Sequence, residues 1–250
     1  MKFVAIIPAR YASTRFPGKP LADMNGKPMI QRVYEQVKKS IADVYVATDD
    51  KRIFESVKHF DGNVVMTSNT HRSGTDRCNE AYNKIGKPFD VVLNIQGDEP
   101  FVFPEQIELL KSCFTNSDVE IATLVKPFEP KDGLDALHNP SSPKVVLNNE
   151  LEAVYFSRSV IPFIRDIAPE EWLSHHLFYK HIGIYGYRAD VLKDITQLSV
   201  GLLEKAESLE QLRWIENGFK IKAGITNQET FGIDTPDDLK RALQQLLSMN

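Results

Sequence analysis

The feature that most constrains this chain is a repeated alternation. Short apolar runs rich in β-branched residues are each followed by a stretch with helical spacing. Phe3 to Ile7 is the first run, then Val44 to Ala47, Val64 to Met66, Val91 to Ile95 and Ile121 to Val125. Runs of this composition read as strands, and Phe3 to Ile7, Val44 to Ala47 and Val91 to Ile95 as strands buried on both faces, the habit of parallel sheets. Between them, Met29, Ile30, Val33, Tyr34 and Val37 share one helical face behind Pro28, and Ile53, Phe54 and Val57 share another. Further helices are expected over about 76–85 and 105–114. The alternation predicts an α/β fold, a doubly wound, mostly parallel sheet with helices on both faces. Right-handed crossovers then place the strand-end loops on one edge, where such sheets bind ligands. Pro8 has no N–H to give a ladder and is expected to end the first strand.

The pattern changes after residue 126. Residues 126–143 are rich in Pro, Asp and Asn and show no clear period. Lys144 to Leu147, Asn148-Asn149 and Ala153 to Phe156 read as a hairpin, and Tyr179 to Tyr187 as another strand. The expectation is one domain in three parts: an α/β half over 1–126, a smaller antiparallel elaboration or dimer arm over 127–190, and closing helices over 191–250. The last helix has Thr235 as its N-cap, Pro236 at its first position and Asp238 near the positive end of its dipole.

Composition narrows the function classes. A net charge of -4 argues against general nucleic-acid binding. Cys78 and Cys113 make neither a CxxC pair nor a disulfide framework. No apolar run approaches the ~20 residues of a membrane span. The N-terminus reads as a strand and not as a signal peptide, so a cytoplasmic protein is expected.

Against that charge, residues 1–20 carry four basic residues and no acidic one. Arg10, Ser13, Arg15 and Lys19 fall in a loop after the first strand. It lacks the glycines of a P-loop and of a dinucleotide fingerprint. As an extended loop it suits a triphosphate, wrapped by backbone N–H groups and basic side chains; a solvated basic loop is the plain alternative. Gln96-Gly97-Asp98-Glu99-Pro100 follows the Val91 strand, and a carboxylate there is placed to ligate Mg²⁺ beside a phosphate. Asp234 is a second such carboxylate if Thr235 is the cap; if Asp234 is itself the cap, it is not. Together these describe nucleotidyl transfer: a nucleoside triphosphate with Mg²⁺, attacked at its α-phosphorus by a hydroxyl.

Seven segments carry a resemblance: V-A-I-I-P-A-R-Y-A-S-T-R-F-P-G-K-P (4–20), S-G-T-D-R (73–77), N-I-Q-G-D-E-P (94–100), Y-F-S-R (155–158), H-I-G-I-Y-G-Y (181–187), E-S-L-E-Q-L-R (207–213) and G-I-D-T-P (232–236). In this order the chain resembles the 3-deoxy-manno-octulosonate cytidylyltransferases, or CMP-KDO synthetases, over nearly its whole length. The resemblance implies transfer of CMP from CTP to the anomeric 2-hydroxyl of KDO, giving CMP-KDO and pyrophosphate for lipopolysaccharide biosynthesis, with Mg²⁺ as cofactor. It implies Lys19, Asp98 and Asp234 as catalytic residues, the two aspartates holding the metal. Arg10, Ser13, Arg15 and Lys19 would cradle the triphosphate, and Ser73, Gly74, Thr75, Arg77 and Gln96 the nucleoside. Arg158, His181, Tyr185, Glu210 and Gln211 would line the sugar pocket. A homodimer is expected, with no nucleic-acid or membrane partner.

Each site role has a plain alternative. His181 and Tyr185, four apart, could share a core face of a strand, and Glu210 to Arg213 could be a solvated helix face. His175-His176 read as surface or interface residues and Cys78 as a small buried side chain. A cytidylyltransferase for 8-amino-KDO or a sialic acid is the same-class alternative. A dinucleotide-dependent oxidoreductase lacks its glycine fingerprint here. A silent nucleotide-binding module predicts loss of Asp98 or Asp234, and both are present.

Overall fold

The computed structural model describes residues 1–12, 15–230 and 232–248, without side chains at 245–248. Along the chain lie β1 (Phe3–Ala9), α1 (Met29–Lys38), β2 (Val44–Thr48), α2 (Lys51–His59), β3 (Val64–Met66), α3 (Gly74–Ile85), β4 (Val91–Asn94) and α4 (Pro104–Ser112). Then follow β5 (Ile121–Pro127), α5 (Gly133–His138), β6 (Lys144–Leu147), β7 (Ala153–Ser157), α6 (Trp172–His175) and β8 (Tyr179–Arg188). The series closes with α7 (Ala189–Ile195), α8 (Leu202–Glu207), α9 (Gln211–Glu216), β9 (Ile221–Ile225) and α10 (Pro236–Ser248). The chain divides into two units, Met1–Glu108 with Thr230–Asn250, and Leu109–Glu229.

In the first unit β1 pairs in parallel with β2 and with β4, and β2 with β3, giving the order β3-β2-β1-β4. The chain steps outward from β1 to β3 and then returns to the far side of β1. This reversal makes the β1/β4 edge a topological switch point, where doubly wound sheets leave a crevice. Right-handed connections put α3 on the face opposite α1 and α2. The apolar spacing does what it predicts in α1, whose buried face is Met29, Ile30, Val33, Tyr34 and Val37; in α2 Ile53 and Val57 are buried but Phe54 only half-buried, and Cys78 is fully buried in α3.

Pro8 does not end β1. It pairs with Ala47, and the strand runs on to Ala9. The Ile6 carbonyl accepts from Ile95 N–H, so Pro8, two residues on, faces the same side; the β4 ladder has already stopped at Ile6↔Asn94. The missing N–H therefore costs no ladder bond.

α10 returns to the first unit. Its Ala242 is buried with Met24, Met29, Phe101 and Ile233. Thr235 accepts from Asp238 N–H at 3.2 Å, while the Asp238 carboxylate accepts from Thr235 N–H at 2.9 Å. That reciprocal pair makes Thr235 the cap and leaves the Asp234 carboxylate for other partners.

In the second unit β5 runs antiparallel to β8 and parallel to β9, and the β6–β7 hairpin joins through β6 to β8. β5 thus belongs with the strands that follow it, and the division falls before it, not at residue 126. The hairpin turn spans Asn148 to Glu152, longer than Asn148-Asn149, with Leu151 at φ 56°. Lys144 is fully buried; its ammonium donates to the carbonyls of Asn139 at 3.1 Å and Arg158 at 2.7 Å, and burial lowers its pKa. A buried cation needs such partners. Residues 161–178, aperiodic in sequence, include a cluster of Trp172 and Phe178 with Phe128 and Leu137. His175 and His176 are exposed.

Candidate active site

At the switch-point edge of the first unit lies a cavity of about 340 Å³. The end of β1 brings Arg10 to its wall, and the loop beyond brings Arg15 and Lys19. Gln96, Gly97 and Asp98 come from the loop after β4, Ser73 and Gly74 from the start of α3, and Asp234 from the turn before α10. Ser13 lies outside the described residues.

Glycine permits two close approaches. A Cβ at Gly97 would meet the Pro8 carbonyl oxygen at 2.8 Å, and one at Gly74 would meet Pro8 Cγ at 3.3 Å. The Gln96–Asp98 loop can therefore press against the end of β1 only with Gly at 97. Ser73 caps α3, accepting from Asp76 N–H at 3.0 Å.

The charges converge. Lys19 Nζ lies 2.5 Å from Asp98 Oδ2 and 3.3 Å from Asp234 Oδ1, and Arg15 Nη2 lies 3.0 Å from the same Asp234 oxygen. Ile233 N–H donates to the Asp98 carbonyl at 2.9 Å, which ties the two aspartate loops together. Two carboxylates thus share one ammonium at a single point.

Other expected residues are placed differently. Thr75 is buried and does not line the cavity. Arg77 reaches its wall but is only 4% exposed; its Nη1 donates to Thr67 Oγ1 at 2.6 Å and Ser68 O at 3.2 Å, with Asp49 at 3.4 Å. Its guanidinium is committed to framing the loop after β3. His71 and Arg72 also line the cavity, and the sequence reading overlooked them; their one signal was adjacency to Ser73-Gly74. His71 Nε2 is bonded to the Glu80 carboxylate. Partial burial pulls the Glu80 carboxyl up, but hydrogen bonds from Lys84, Ser68 N–H and His71 outweigh it and bring it down to about 2.

The five expected sugar residues all belong to the second unit. The β5–β8 register jumps from Leu124↔Ile182 to Thr123↔Tyr185. Gly183 and Ile184 are extra at this bulge, and Thr123 Oγ1 lies 2.8 Å from Ile184 O. In a regular strand residues four apart are about 13 Å away. Across this bulge the His181 and Tyr185 rings sit 5.3 Å apart. Burial takes the His181 imidazole down to about 3, so it is neutral near pH 7, with Nε2 3.1 Å from Thr123 Oγ1. Burial likewise raises Tyr185.

Glu210 is held by Arg213 at 2.9 Å, and Arg213 also pairs with Glu204 at 3.1 Å. Among the described residues, Gln211 Nε2 and Trp214 Nε1 are buried without hydrogen-bond partners. Tyr185 and Trp214 rings are 5.2 Å apart, and Trp214 is one helical turn beyond Gln211. Unsatisfied buried polar atoms are costly, so such a group implies a ligand or water that completes it. Arg158 donates to three carbonyls, Glu207 at 2.7 Å, Pro140 at 2.8 Å and Ser208 at 3.2 Å, which fix its head.

A parallel sheet whose switch-point cavity gathers arginines, a lysine and two converging carboxylates defines a protein that handles a nucleoside polyphosphate. The sequence profile described as Cytidylyltransferase matches residues 4–221. The 3-deoxy-manno-octulosonate cytidylyltransferase of Parabacteroides distasonis is 68% identical over 97% of each chain, and that of Bacteroides thetaiotaomicron 62% identical, also over 97% of each. A solved structure described as CMP:2-keto-3-deoxy-manno-octonic acid synthetase complexed with CTP superposes with a TM-score of 0.91 at 41% identity, over all of both chains. The chain belongs to the 3-deoxy-manno-octulosonate cytidylyltransferase family.

Proposed function

We propose that this chain transfers CMP from CTP to the anomeric 2-hydroxyl of KDO, releasing pyrophosphate and giving CMP-KDO for lipopolysaccharide biosynthesis. The observation that carries the site assignment is the convergence of Asp98 and Asp234 on Lys19 Nζ inside a basic cavity. Arg10, Arg15 and Lys19 bind the triphosphate, and Ser73, Gly74 and Gln96 face the nucleoside.

The fit of a divalent ion is supported by the ammonium that Asp98 and Asp234 already share, which marks a cation position between them. Among the described residues no cluster of three or more His, Cys, Asp or Glu side chains forms. Two carboxylates, with the remaining positions filled by phosphate oxygens and water, suit Mg²⁺. Bound to Asp98 and Asp234, such an ion would neutralise charge on the α-phosphate and orient it. Lys19 and Arg15, released from the aspartates, would then turn to phosphate oxygens, where they stabilise the charge that builds toward pyrophosphate.

In the second unit, Arg158 offers a cation to the sugar acid's carboxylate. Tyr185, Gln211, Glu210 and neutral His181 offer paired donors and acceptors to its hydroxyls, where an analogue with a mismatched group leaves them unpaired. The protein acts in the cytoplasm as a homodimer, with no nucleic-acid or membrane partner. Among the described residues no helix is long and apolar enough to cross a membrane.

The test is pyrophosphate release with Mg²⁺ across the four nucleoside triphosphates and a panel of sugar acids. CTP with KDO is the expected best pair. Preference for an 8-amino analogue is the competing outcome, since an 8-amino-3,8-dideoxy-manno-octulosonate cytidylyltransferase of Shewanella is 45% identical. Asp98→Asn should lower turnover at saturating CTP by more than about a hundredfold while leaving thermal stability unchanged. Near-normal turnover would remove Asp98 from the metal site.

A further inference from the structure

Tyr11 and Arg52 have no part in the site described above, yet they meet at its most charged loop. The Arg52 guanidinium carbon lies 3.3 Å from the centroid of the Tyr11 ring, a face-on cation–π stack. The same ring closes on Gly18: a Cβ there would meet Tyr11 Cε2 and Cζ at 3.0 Å and its hydroxyl oxygen at 3.1 Å. Gly18 N–H donates to the Tyr11 carbonyl at 2.9 Å, which ties these two positions together. Gly18 itself sits at φ 73°, the left-handed region that a residue with a Cβ adopts only under strain.

Arg52 is in turn fixed to the end of β2. Its Nε and Nη2 donate to the two Asp50 carboxylate oxygens at 3.0 and 2.6 Å, and its backbone N–H donates to Asp50 at 2.8 Å. Asp50 is the N-cap of α2. A continuous chain of contacts therefore runs from the sheet through Asp50, Arg52 and Tyr11 to Gly18. Three of the basic residues of the cavity wall are distributed about this contact. Arg10 directly precedes Tyr11, Arg15 falls between Tyr11 and Gly18 in sequence, and Lys19 directly follows Gly18.

We infer that Asp50, Arg52 and Tyr11 form a latch that pre-sets the phosphate-binding loop, so that Tyr11 and Arg52 are positioning residues for the nucleotide and not contacts to it. An extended loop with three long basic side chains loses conformational freedom when it wraps a polyphosphate. A loop closed before binding loses less, and the gain appears in nucleotide affinity. Asp50, Arg52 and Tyr11 belong to the same unit as the residues assigned to the triphosphate, so the effect is expected on CTP.

The inference rests on the nucleotide reading of the cavity, and calorimetric titration with CTP tests the two separately. In Arg52→Ala the CTP Kd should rise about two- to fivefold, the scale of one exposed cation–π contact. Tyr11→Ala, which also removes the packing on Gly18, should exceed this. Tyr11→Phe keeps the ring and should restore affinity to within about twofold, whereas Arg52→Lys, which loses the planar stack, should not. In steady state the KM for CTP should rise with the KM for the sugar acid unchanged. Unchanged CTP affinity in Arg52→Ala, or equal rises in both KM values, overturns the latch while leaving the nucleotide reading standing. A wild-type protein that binds no CTP overturns the nucleotide reading and the latch with it.

Discussion

Replacing Lys19 by Met should make the free protein bind a divalent metal more tightly while making it bind CTP less well. Lys19 Nζ lies 2.5 Å from Asp98 and 3.3 Å from Asp234, so its charge sits where the two carboxylates would direct a metal ion. The aspartate side chains are 28% and 44% exposed, which calls for a dielectric close to that of water. At about 4 Å two unit charges then interact by about 1 kcal/mol, and an ion of charge two by about 2 kcal/mol. Removing the ammonium, with Met keeping the apolar stem, should therefore raise metal affinity by about thirtyfold. Mn²⁺ titration of the nucleotide-free protein, followed by calorimetry or water-proton relaxation, measures this directly. Asp98→Asn should show the opposite change. CTP affinity should fall in Lys19→Met, because that cation is the one the phosphates would recruit. The opposed signs matter: a variant that was merely misfolded would lose both affinities. Unchanged or weaker Mn²⁺ binding by Lys19→Met would refute the view that Lys19 holds the metal position in the free protein. By linkage, CTP should also tighten metal binding in the wild type by the factor with which metal tightens CTP.

Two further expectations follow. Gly97→Ala places a methyl 2.8 Å from the Pro8 carbonyl oxygen, backbone at the end of a paired strand, and should cost about 1–3 kcal/mol in thermal or urea unfolding with a matching loss of CTP affinity; a neutral variant would mean the loop moves freely. His181, whose ordinary pKa of 6.5 burial lowers to about 3, takes up a proton in the unfolded chain before it does so in the folded one. Its contribution is thus intact above pH 6.5, and stability should fall as pH drops from there toward 3. Urea unfolding at pH 7 and 4.5 should show a smaller difference in His181→Gln than in the wild type, and an equal difference would count against a buried neutral imidazole.

The strands and helices of the first unit were legible because each obeys a local rule. Strands buried on both faces read as unbroken apolar runs, the α1 face follows the 3.6-residue period, and Thr235 with Asp238 announces a helix start. Pro8 misled because a proline's effect depends on which side of the strand still has a neighbour, and β4 stops two residues earlier. The boundary at 126 misled because β5 pairs with β8 and β9, and pairing partners are not written in the strand itself.

The site residues were named from residue type, loop position and resemblance, and for Asp98 and the basic loop that was enough to state a chemistry. What their companions do was not legible. Thr75 and Arg77 belong to the same short motif as Ser73 and Gly74, yet the helix turns Thr75 into the core, and Thr67, Ser68 and Asp49 claim the Arg77 guanidinium. His71, Arg72 and Lys144 carry no motif and show their roles only through the partners the fold assigns them.

The sequence alone therefore determined the layered α/β architecture, the edge at which the cavity lies and the basic residues that edge presents. These rest on period, chirality and charge, which act within a few tens of residues. The tertiary structure decided which groups meet: Asp98 with Asp234 through the Ile233 backbone bond, His181 with Tyr185 through the bulge in β8, and Tyr11 with Arg52 beside the end of β1. Such meetings depend on register and loop closure between distant segments. Their energies are set by all the partners at once, and no local pattern in the chain encodes them.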